Sequence, residues 1–370
     1  MSYDYLVVGA GFAGATLAER LNSVLGARVL VIDKRDHVAG NCHDPIGADG
    51  LRRHAYGPHI FHTNSAEVVA YLSTFTGWRP YEHRVRARIG EGLFPIPINR
   101  TTVNAFYGLD LDTAGVAAFL AARAVPHARV KNSEHAITTK VGSELYAAFF
   151  RGYTRKHWGL DPSELDASVC GRIPVRTNDD DRYFNDRFQC MPDAGYTALI
   201  ERMLSGTGID VALGVDFESL TNRDRFRHIV YTGPIDAFFS HRFGRLPYRS
   251  LRFEFETVDR PWVQAVGCIN EAEESVPYTR VTEYKHLTGQ QHARTVISRE
   301  YACSEGEPYY PIPRPENRAL YDKYAQLAAA TKGVTFVGRL AEYRYYNMDQ
   351  AVASALRAFE ELAAGARLAS

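Results

Sequence analysis

The residues best placed for chemistry open the chain: Gly9-x-Gly11-x-x-Gly14, entered from the apolar run Tyr5-Leu6-Val7-Val8 and left through Ala15-Thr16-Leu17-Ala18 with helical spacing. A buried strand, a glycine turn and a helix start are what a dinucleotide site needs. The first two glycines allow a tight turn and close backbone approach, and the third lets helix pack on strand. A pyrophosphate then accepts from open N–H groups at the helix N-terminus, where the macrodipole also favours an anion. Arg28-Val29-Leu30-Val31-Ile32-Asp33 reads as a second parallel strand ending in an acid. Asp33 follows Gly14 at roughly the 20-residue offset from which a carboxylate accepts ribose hydroxyls.

Other chemistries have less support. The five cysteines (Cys42, Cys170, Cys190, Cys268, Cys303) are scattered without a CxxC pair, which fits a reducing compartment rather than a disulfide framework. His54, His59 and His62 lie close together, but no acid or cysteine is interleaved, so no metal is assigned. Gly57-Pro58 reads as a turn presenting His59, with the other two histidines structural. No Ser-His-Asp set and no catalytic carboxylate pair stands out.

The totals bound the rest. A chain of 370 residues suggests two or three domains, and 45% hydrophobic with 23% charged residues is ordinary for a globular protein. Lys plus Arg equals Asp plus Glu at 43 each, so no bulk basic field points to nucleic acid or a membrane surface. The first strand begins too early to leave room for a signal peptide, and no apolar run reaches membrane-spanning length; the expectation is a cytoplasmic protein.

The elements that must position these residues follow from periodicity. A short amphipathic helix is expected over 66–77 and a strand over 84–89. The pattern is then helical over 101–165, with Val116, Phe119 and Leu120 on one face and Val141, Leu145, Phe149 and Tyr153 on another. Gly171-Arg172-Ile173-Pro174-Val175-Arg176 reads as extended, with Arg172 and Arg176 on one side, and Asp179-Asp180-Asp181 as a possible neutralising partner. A helix over 197–204 and a buried strand over 228–233 come next. Leu251-Arg252-Phe253-Glu254-Phe255-Glu256 alternates, and with runs over 263–269, 278–284 and 294–301 predicts an antiparallel sheet that Tyr309–Pro313 breaks. A helix over 317–331, a last parallel strand over 334–339 and a helix over 348–362 finish the chain.

Two segments extend the cofactor reading. Lys34-Arg35-Asp36-His37-Val38-Ala39-Gly40-Asn41 resembles the acid–base–four–GG–polar segment of FAD enzymes of the glutathione reductase-like group, with Ala39 in place of the first glycine. Together with Tyr56-Gly57-Pro58-His59, Gly152-Tyr153-Thr154-Arg155-Lys156-His157-Trp158-Gly159, Arg172-Ile173-Pro174-Val175-Arg176, Tyr183-Phe184, Tyr231-Thr232-Gly233-Pro234-Ile235-Asp236 and Gly338-Arg339-Leu340…Tyr343-Arg344-Tyr345-Tyr346-Asn347-Met348-Asp349, in this order, the whole chain resembles the bacterial UDP-galactopyranose mutases.

The resemblance implies an α/β fold: a Rossmann-like FAD domain (1–80, 193–245, 330–370), an inserted helical bundle (98–168) and an antiparallel-sheet substrate domain (81–97, 169–192, 246–329). It implies interconversion of UDP-galactopyranose and UDP-galactofuranose by reduced FAD without net redox change, flavin N5 attacking the anomeric carbon, UDP leaving, and the ring reclosing through a flavin–sugar iminium. By residue-to-residue matching, Gly9, Gly11, Phe12, Ala13, Gly14, Asp33, Lys34, Gly40, Asn41, His59, Ile60, Gly338 and Arg339, with the backbone of Met348, Asp349 and Gln350, meet FAD. Arg172 and Arg280 flank the diphosphate, and His59 faces the flavin. Tyr183 stacks on uracil beside Phe184, and His83, Thr154, Trp158, Asn270, Tyr310, Tyr345 and Asn347 line the cleft, Asn347 standing where many relatives carry Asp. The proline- and glycine-punctuated stretch 158–176 is expected to close over the UDP-sugar as a lid. A homodimer or higher homo-oligomer is expected by family analogy. Two other readings are an FAD-dependent amine oxidase, which requires net oxidation of substrate, and a flavin-free binder like the Rab GDP-dissociation inhibitors, against which Asp33 and Ala39-Gly40-Asn41 argue.

Overall fold

A computed structural model describes residues 2–368, leaving Met1, Ala369 and Ser370, the outermost residues of the expected FAD domain, outside the description. The described residues form three sheets. The first is wholly parallel, in the order Val334–Phe336, His228–Tyr231, Tyr5–Val8, Val29–Asp33, Ile209–Leu213. Leu6, Val7, Val29, Val31 and Val230 in its centre are buried, as continuous apolar runs require when helices cover both faces. Phe12–Leu25 packs along it against Met348–Leu368, the long helix that closes the same layer.

The second sheet runs in the order Tyr310–Pro311, Tyr248–Val258, Thr295–Cys303, Arg280–Glu283, Cys268–Glu271, Val85–Ile89, Gly92–Ile96, antiparallel except between Cys268–Glu271 and Val85–Ile89. Tyr310–Pro311 therefore adds to this sheet rather than breaking it: Tyr310 pairs with Arg249 at the edge, where proline's missing N–H costs no interior bond. The run expected as a strand over 263–269 pairs only from Cys268, because Val263 and Gln264 donate their N–H groups to the Glu283 carboxylate instead.

Helices Arg100–Tyr107, Thr113–Arg123 and Ser133–Leu145, a π-helical segment Tyr146–Arg151 and helix Gly152–Trp158 form the bundle. Each of the first three is capped by a side-chain oxygen, from Asn99, Asp112 and Asn132 respectively. Val116, Leu120, Val141, Leu145 and Phe149 fill the interior, as their spacing requires. The helix expected over 66–77 ends at Leu72. Trp78–Pro80 instead joins Phe61–Thr63 and Phe188–Pro192 in a small third sheet, so 188–192, expected with the second sheet, lies apart from it. Among the described residues no helix is long and apolar enough to cross a membrane.

Candidate active site

The glycine turn behaves as its spacing demands. Gly9 has φ +105°, a conformation side chains resist, and a Cβ on Gly14 would overlap the carbonyl oxygen of Gly9. Gly11 caps Phe12–Leu25 without any side-chain bond, which leaves the first-turn N–H groups open toward a cavity. Asp33 ends the adjoining strand and is nearly buried; its oxygens accept from Ala10 N–H (2.8 Å) and Arg35 N–H (2.9 Å) and keep further lone pairs for a ligand. Lys34, Gly40, Asn41, Gly338, Arg339 and Met348 complete the walls, with about 1470 Å³ of free space between them, mouth included. Uncapped helix donors, a strand-end acid and this volume fit FAD. Ile60 lines the neighbouring cavity instead, and Asp349 and Gln350 line neither. Their side chains turn to other partners, Asp349 accepting from Thr63 Oγ1 (2.7 Å) and Gln350 from the Asn347 N–H (3.0 Å).

The second cavity collects every residue assigned to the nucleotide-sugar cleft: His83, Thr154, Trp158, Arg172, Tyr183, Phe184, Asn270, Arg280, Tyr310, Tyr345 and Asn347. Its lining holds no Asp or Glu. Arg172 is not on an extended segment; it caps the short helix Ser168–Gly171 with α-region torsions, because Pro174 is far enough downstream to leave that turn intact. Its guanidinium lies over Tyr345, 4.6 Å from the ring centre. Protein crowds it on most sides, yet it keeps contact with solvent through the open cavity. Arg176 points elsewhere, to the carbonyls of Asp180 and Arg182. Arg280 donates to the Tyr153 hydroxyl (2.6 Å) and stands 3.2 Å from Glu300. Burial opposes ionisation of Tyr345, but Arg172 and Arg339 outweigh it and draw the phenol below its ordinary pKa.

His59, Arg339, Asn347 and Met348 border both cavities. His59 is neutral: enclosure, His54 and Arg339 push its pKa down to about 3. Its Nδ1 sits 2.8 Å from the Gly57 carbonyl, so Nδ1 carries the proton and Nε2 is left as an acceptor. Arg339 donates to the Tyr346 carbonyl (2.7 Å), and Asn347 has no side-chain partner among the described residues.

Phe149 and Tyr153, read from spacing as a packing face, and His62, read as structural, also line the second cavity, as do Phe150 and His157, to which the sequence assigns no site role. Phe149, Tyr153 and His157 are spaced four apart, so the face read as packing continues into the cavity wall; the signal was present and its far end was not core. His62 bonds Asp186 (2.6 Å) and stacks on Phe184 with ring centres 3.6 Å apart.

A parallel Rossmann-type sheet with an open glycine turn, joined to an arginine- and aromatic-lined cavity, defines a dinucleotide-dependent enzyme fold. A model of an NAD(P)-binding Rossmann-like domain matches residues 7–75, and the UDP-galactopyranose mutase model matches residues 148–345. A Klebsiella pneumoniae protein described as "Probable UDP-galactopyranose mutase" is 40% identical, over 97% of this chain and 94% of that protein. The Escherichia coli dTDP-fucopyranose mutase is 37% identical, over 95% and 96%. A crystal structure of reduced UDP-galactopyranose mutase superposes with a TM-score of 0.77 at 15% identity, covering 98% of this chain and 94% of that one. The chain belongs to the UDP-galactopyranose mutase family.

Proposed function

We propose that the chain interconverts UDP-galactopyranose and UDP-galactofuranose and that its cofactor is FAD in the reduced state. One observation carries the reading: a dinucleotide-type cavity and a carboxylate-free cavity bearing Arg172 and Arg280 share the wall formed by His59, Arg339, Asn347 and Met348. A reacting cofactor ring in one cavity is thereby in reach of a sugar in the other. Reduced FAD, when bound, supplies a nucleophilic N5 toward the anomeric carbon.

The remaining work falls to the chain. Arg172 and Arg280 hold the departing diphosphate with charge-assisted hydrogen bonds, for which the guanidinium fork is suited. Tyr183 and Phe184 receive the uracil face, and Tyr310 and Tyr345 give hydroxyls to phosphate. Thr154, Trp158, His83, Asn270 and Asn347 shape the cleft, the last with a neutral amide. Neutral His59, on the wall shared by the two cavities, would present its Nε2 acceptor to the bound cofactor. The N-terminus of Met348–Leu368, at the wall shared by the two cavities, favours negative charge on the ring. The cofactor domain in this reading comprises 1–80, 193–245 and 330–370, the bundle 98–168, and the substrate domain 81–97, 169–192 and 246–329, of which 188–192 pairs outside the large antiparallel sheet. By family analogy the chain works in the cytoplasm as a homodimer or higher homo-oligomer, and sedimentation of the pure protein checks the oligomeric state.

The test is incubation of flavin-loaded protein with UDP-galactofuranose, with and without dithionite. Pyranose forming only under reducing conditions supports the proposal. No isomer under either condition, or net oxidation of the sugar, overturns it.

A further inference from the structure

His157 is a buried histidine that the reading above leaves without a task. It sits on Gly152–Trp158, is 5% exposed and lines the nucleotide-sugar cavity. Its Nδ1 has no hydrogen-bond partner among the described residues, an arrangement that ordinarily carries a cost in a protein interior. The nearest carboxylate oxygen, Glu300 Oε1, is 3.8 Å away, too far for a hydrogen bond and close enough to become one after a small shift.

The charged and titratable groups around the ring come from several elements. Glu300 faces it from Thr295–Cys303, Arg280 from the paired strand Arg280–Glu283, and Arg172 from the end of Ser168–Gly171. Arg249, on Tyr248–Val258, donates Nε to the His157 carbonyl (2.9 Å). Tyr310 packs at 5.4 Å between ring centres, and Tyr153, one turn back on the same face, at 5.9 Å with near-parallel planes. Three guanidiniums thus oppose one carboxylate around the His157 ring. Burial, reinforced by Arg280, Arg172 and Arg249, holds the His157 pKa well below its ordinary value.

A diphosphate changes this balance. It brings two negative charges to Arg172 and Arg280, the same guanidiniums that repel a proton from His157. Glu300 stays in place, fixed by Thr279 Oγ1 (2.9 Å). We propose that His157 takes up one proton from solvent when a nucleotide-diphosphate sugar enters the cavity, pairing with Glu300, so that substrate binding is linked to protonation of this cluster. The inference rests on the substrate reading above. It makes His157 a positioning residue: its charge lets Glu300 remain compensated while Arg280 turns its own charge to the diphosphate.

Calorimetric titration of the oxidised, flavin-loaded protein with UDP-galactopyranose tests it, near pH 7 in three buffers of different ionisation enthalpy. The diphosphate of this ligand is esterified at both ends and does not itself titrate there. The expected result is uptake of about one proton per site, with affinity weakening by up to about tenfold per pH unit as pH rises. In His157→Gln, with unchanged flavin absorbance, uptake and pH slope fall to near zero. Nitrogen NMR of histidine-labelled wild type gives a second reading without any variant: one buried ring moves from the neutral to the imidazolium pattern on adding ligand. Buffer-independent heats in the wild type, or undiminished uptake in His157→Gln, overturn the inference and leave the substrate reading standing. Absence of any binding overturns both.

Discussion

Arg280 and Glu300 form an ion pair at 3.2 Å, with the carboxylate 2% exposed and the guanidinium edge turned to the cavity. The pair is close but not aligned as a hydrogen bond through Nε, so its strength is electrostatic and its Nη atoms remain free to be directed. Tyr153 takes one of them. Removing Glu300 leaves a buried charge uncompensated, a loss of about 3–5 kcal/mol in comparable cases. Glu300→Ala is therefore expected to lower Tm by several degrees and kcat by about tenfold or more. Arg172→Ala and Arg280→Ala should each lose ~10²–10³ in kcat with flavin still bound, the usual cost of one preorganised donor at developing charge. Steady-state rates beside flavin absorbance decide it: near-normal turnover in Arg172→Ala removes that residue from the diphosphate site.

Ala39 marks a place where the sequence departs from its own backbone. It has φ 72°, in the left-handed region, at the position where the FAD segment carries its first glycine. The strain amounts to about 1–2 kcal/mol for a residue with a Cβ. It persists because the Ala39 N–H is tied to the Ala10 carbonyl (2.9 Å), joining this loop to the glycine turn. Ala39→Gly relieves the strain and adds about 0.5–1 kcal/mol of unfolded-state entropy cost, so a net gain of about 0.5–1 kcal/mol is expected. Calorimetry should show a Tm higher by about 1 °C with unchanged flavin content; a lower Tm contradicts the strain argument.

How much of this was legible depended on whether one segment's own pattern decided the outcome. The glycine turn, Asp33 and the apolar strands Tyr5–Val8 and Val29–Asp33 were, because a buried parallel strand has no alternative face and the turn admits only glycine at Gly14. Ile209–Leu213 was not: it is the edge of the sheet, with Asp210, Val211 and Leu213 exposed, and Asp210 interrupts its apolar run. Short strands such as Phe61–Thr63 and Trp78–Pro80 exist through a partner more than 100 residues away and carry no local signal. In the site, arginines and aromatics were placed through whole-chain resemblance, while Phe149 and Tyr153 looked like core because helical spacing cannot distinguish a packed interior from a cavity wall.

Acid should destabilise the fold in two separable windows. Burial, then neighbouring positive charge (Arg280 for His83, Arg52 for His54), drives both histidines to a pKa of about 3. His54 Nδ1 must also stay unprotonated to accept the His59 N–H (3.0 Å). Folded pKa values lie below the unfolded value, so between about 6.5 and 3 the unfolded chain binds more protons. Stability is complete above about pH 6.5 and is lost as pH falls toward 3, by up to about 2.7 kcal/mol per pH unit for the two groups together. Asp49, whose pKa is held at about 2 by the Thr257 hydroxyl, the Leu51 N–H and Arg53 against the opposing effect of burial, stabilises the fold above about pH 4 and adds to the acid loss only below it. Chemical unfolding between pH 4.5 and 6.5 isolates the histidines. His83→Gln should remove about one proton from the linkage, and an unchanged slope would mean that His83 is not held neutral.

The lid expected over 158–176 is bounded on one side by a clamp. Asp181 bridges Arg84 (2.8 Å) and Arg86 (2.9 Å), Asp180 holds Arg182 (2.9 Å), and Asp179 pairs with Arg100. Asp181 thereby fastens 179–182 to Val85–Ile89 and its approach, while the Arg172 side chain lies over Tyr345 and donates from its Nε to the Val169 carbonyl (3.3 Å), with no carboxylate among the described residues paired to it. Motion that opens the cavity should then be confined to about 163–175, with the acidic triplet as its fixed end. Limited trypsin digestion of the flavin-loaded protein is expected to cut after Arg172 before Arg176, since the latter is bound to the carbonyls of Asp180 and Arg182. UDP should slow the first cut several-fold by giving the Arg172 guanidinium a partner. High salt should narrow the difference between the sites, because the clamp pairs are partly exposed and screened. Equal cutting after Arg172 with and without UDP would show that this stretch does not close over the nucleotide.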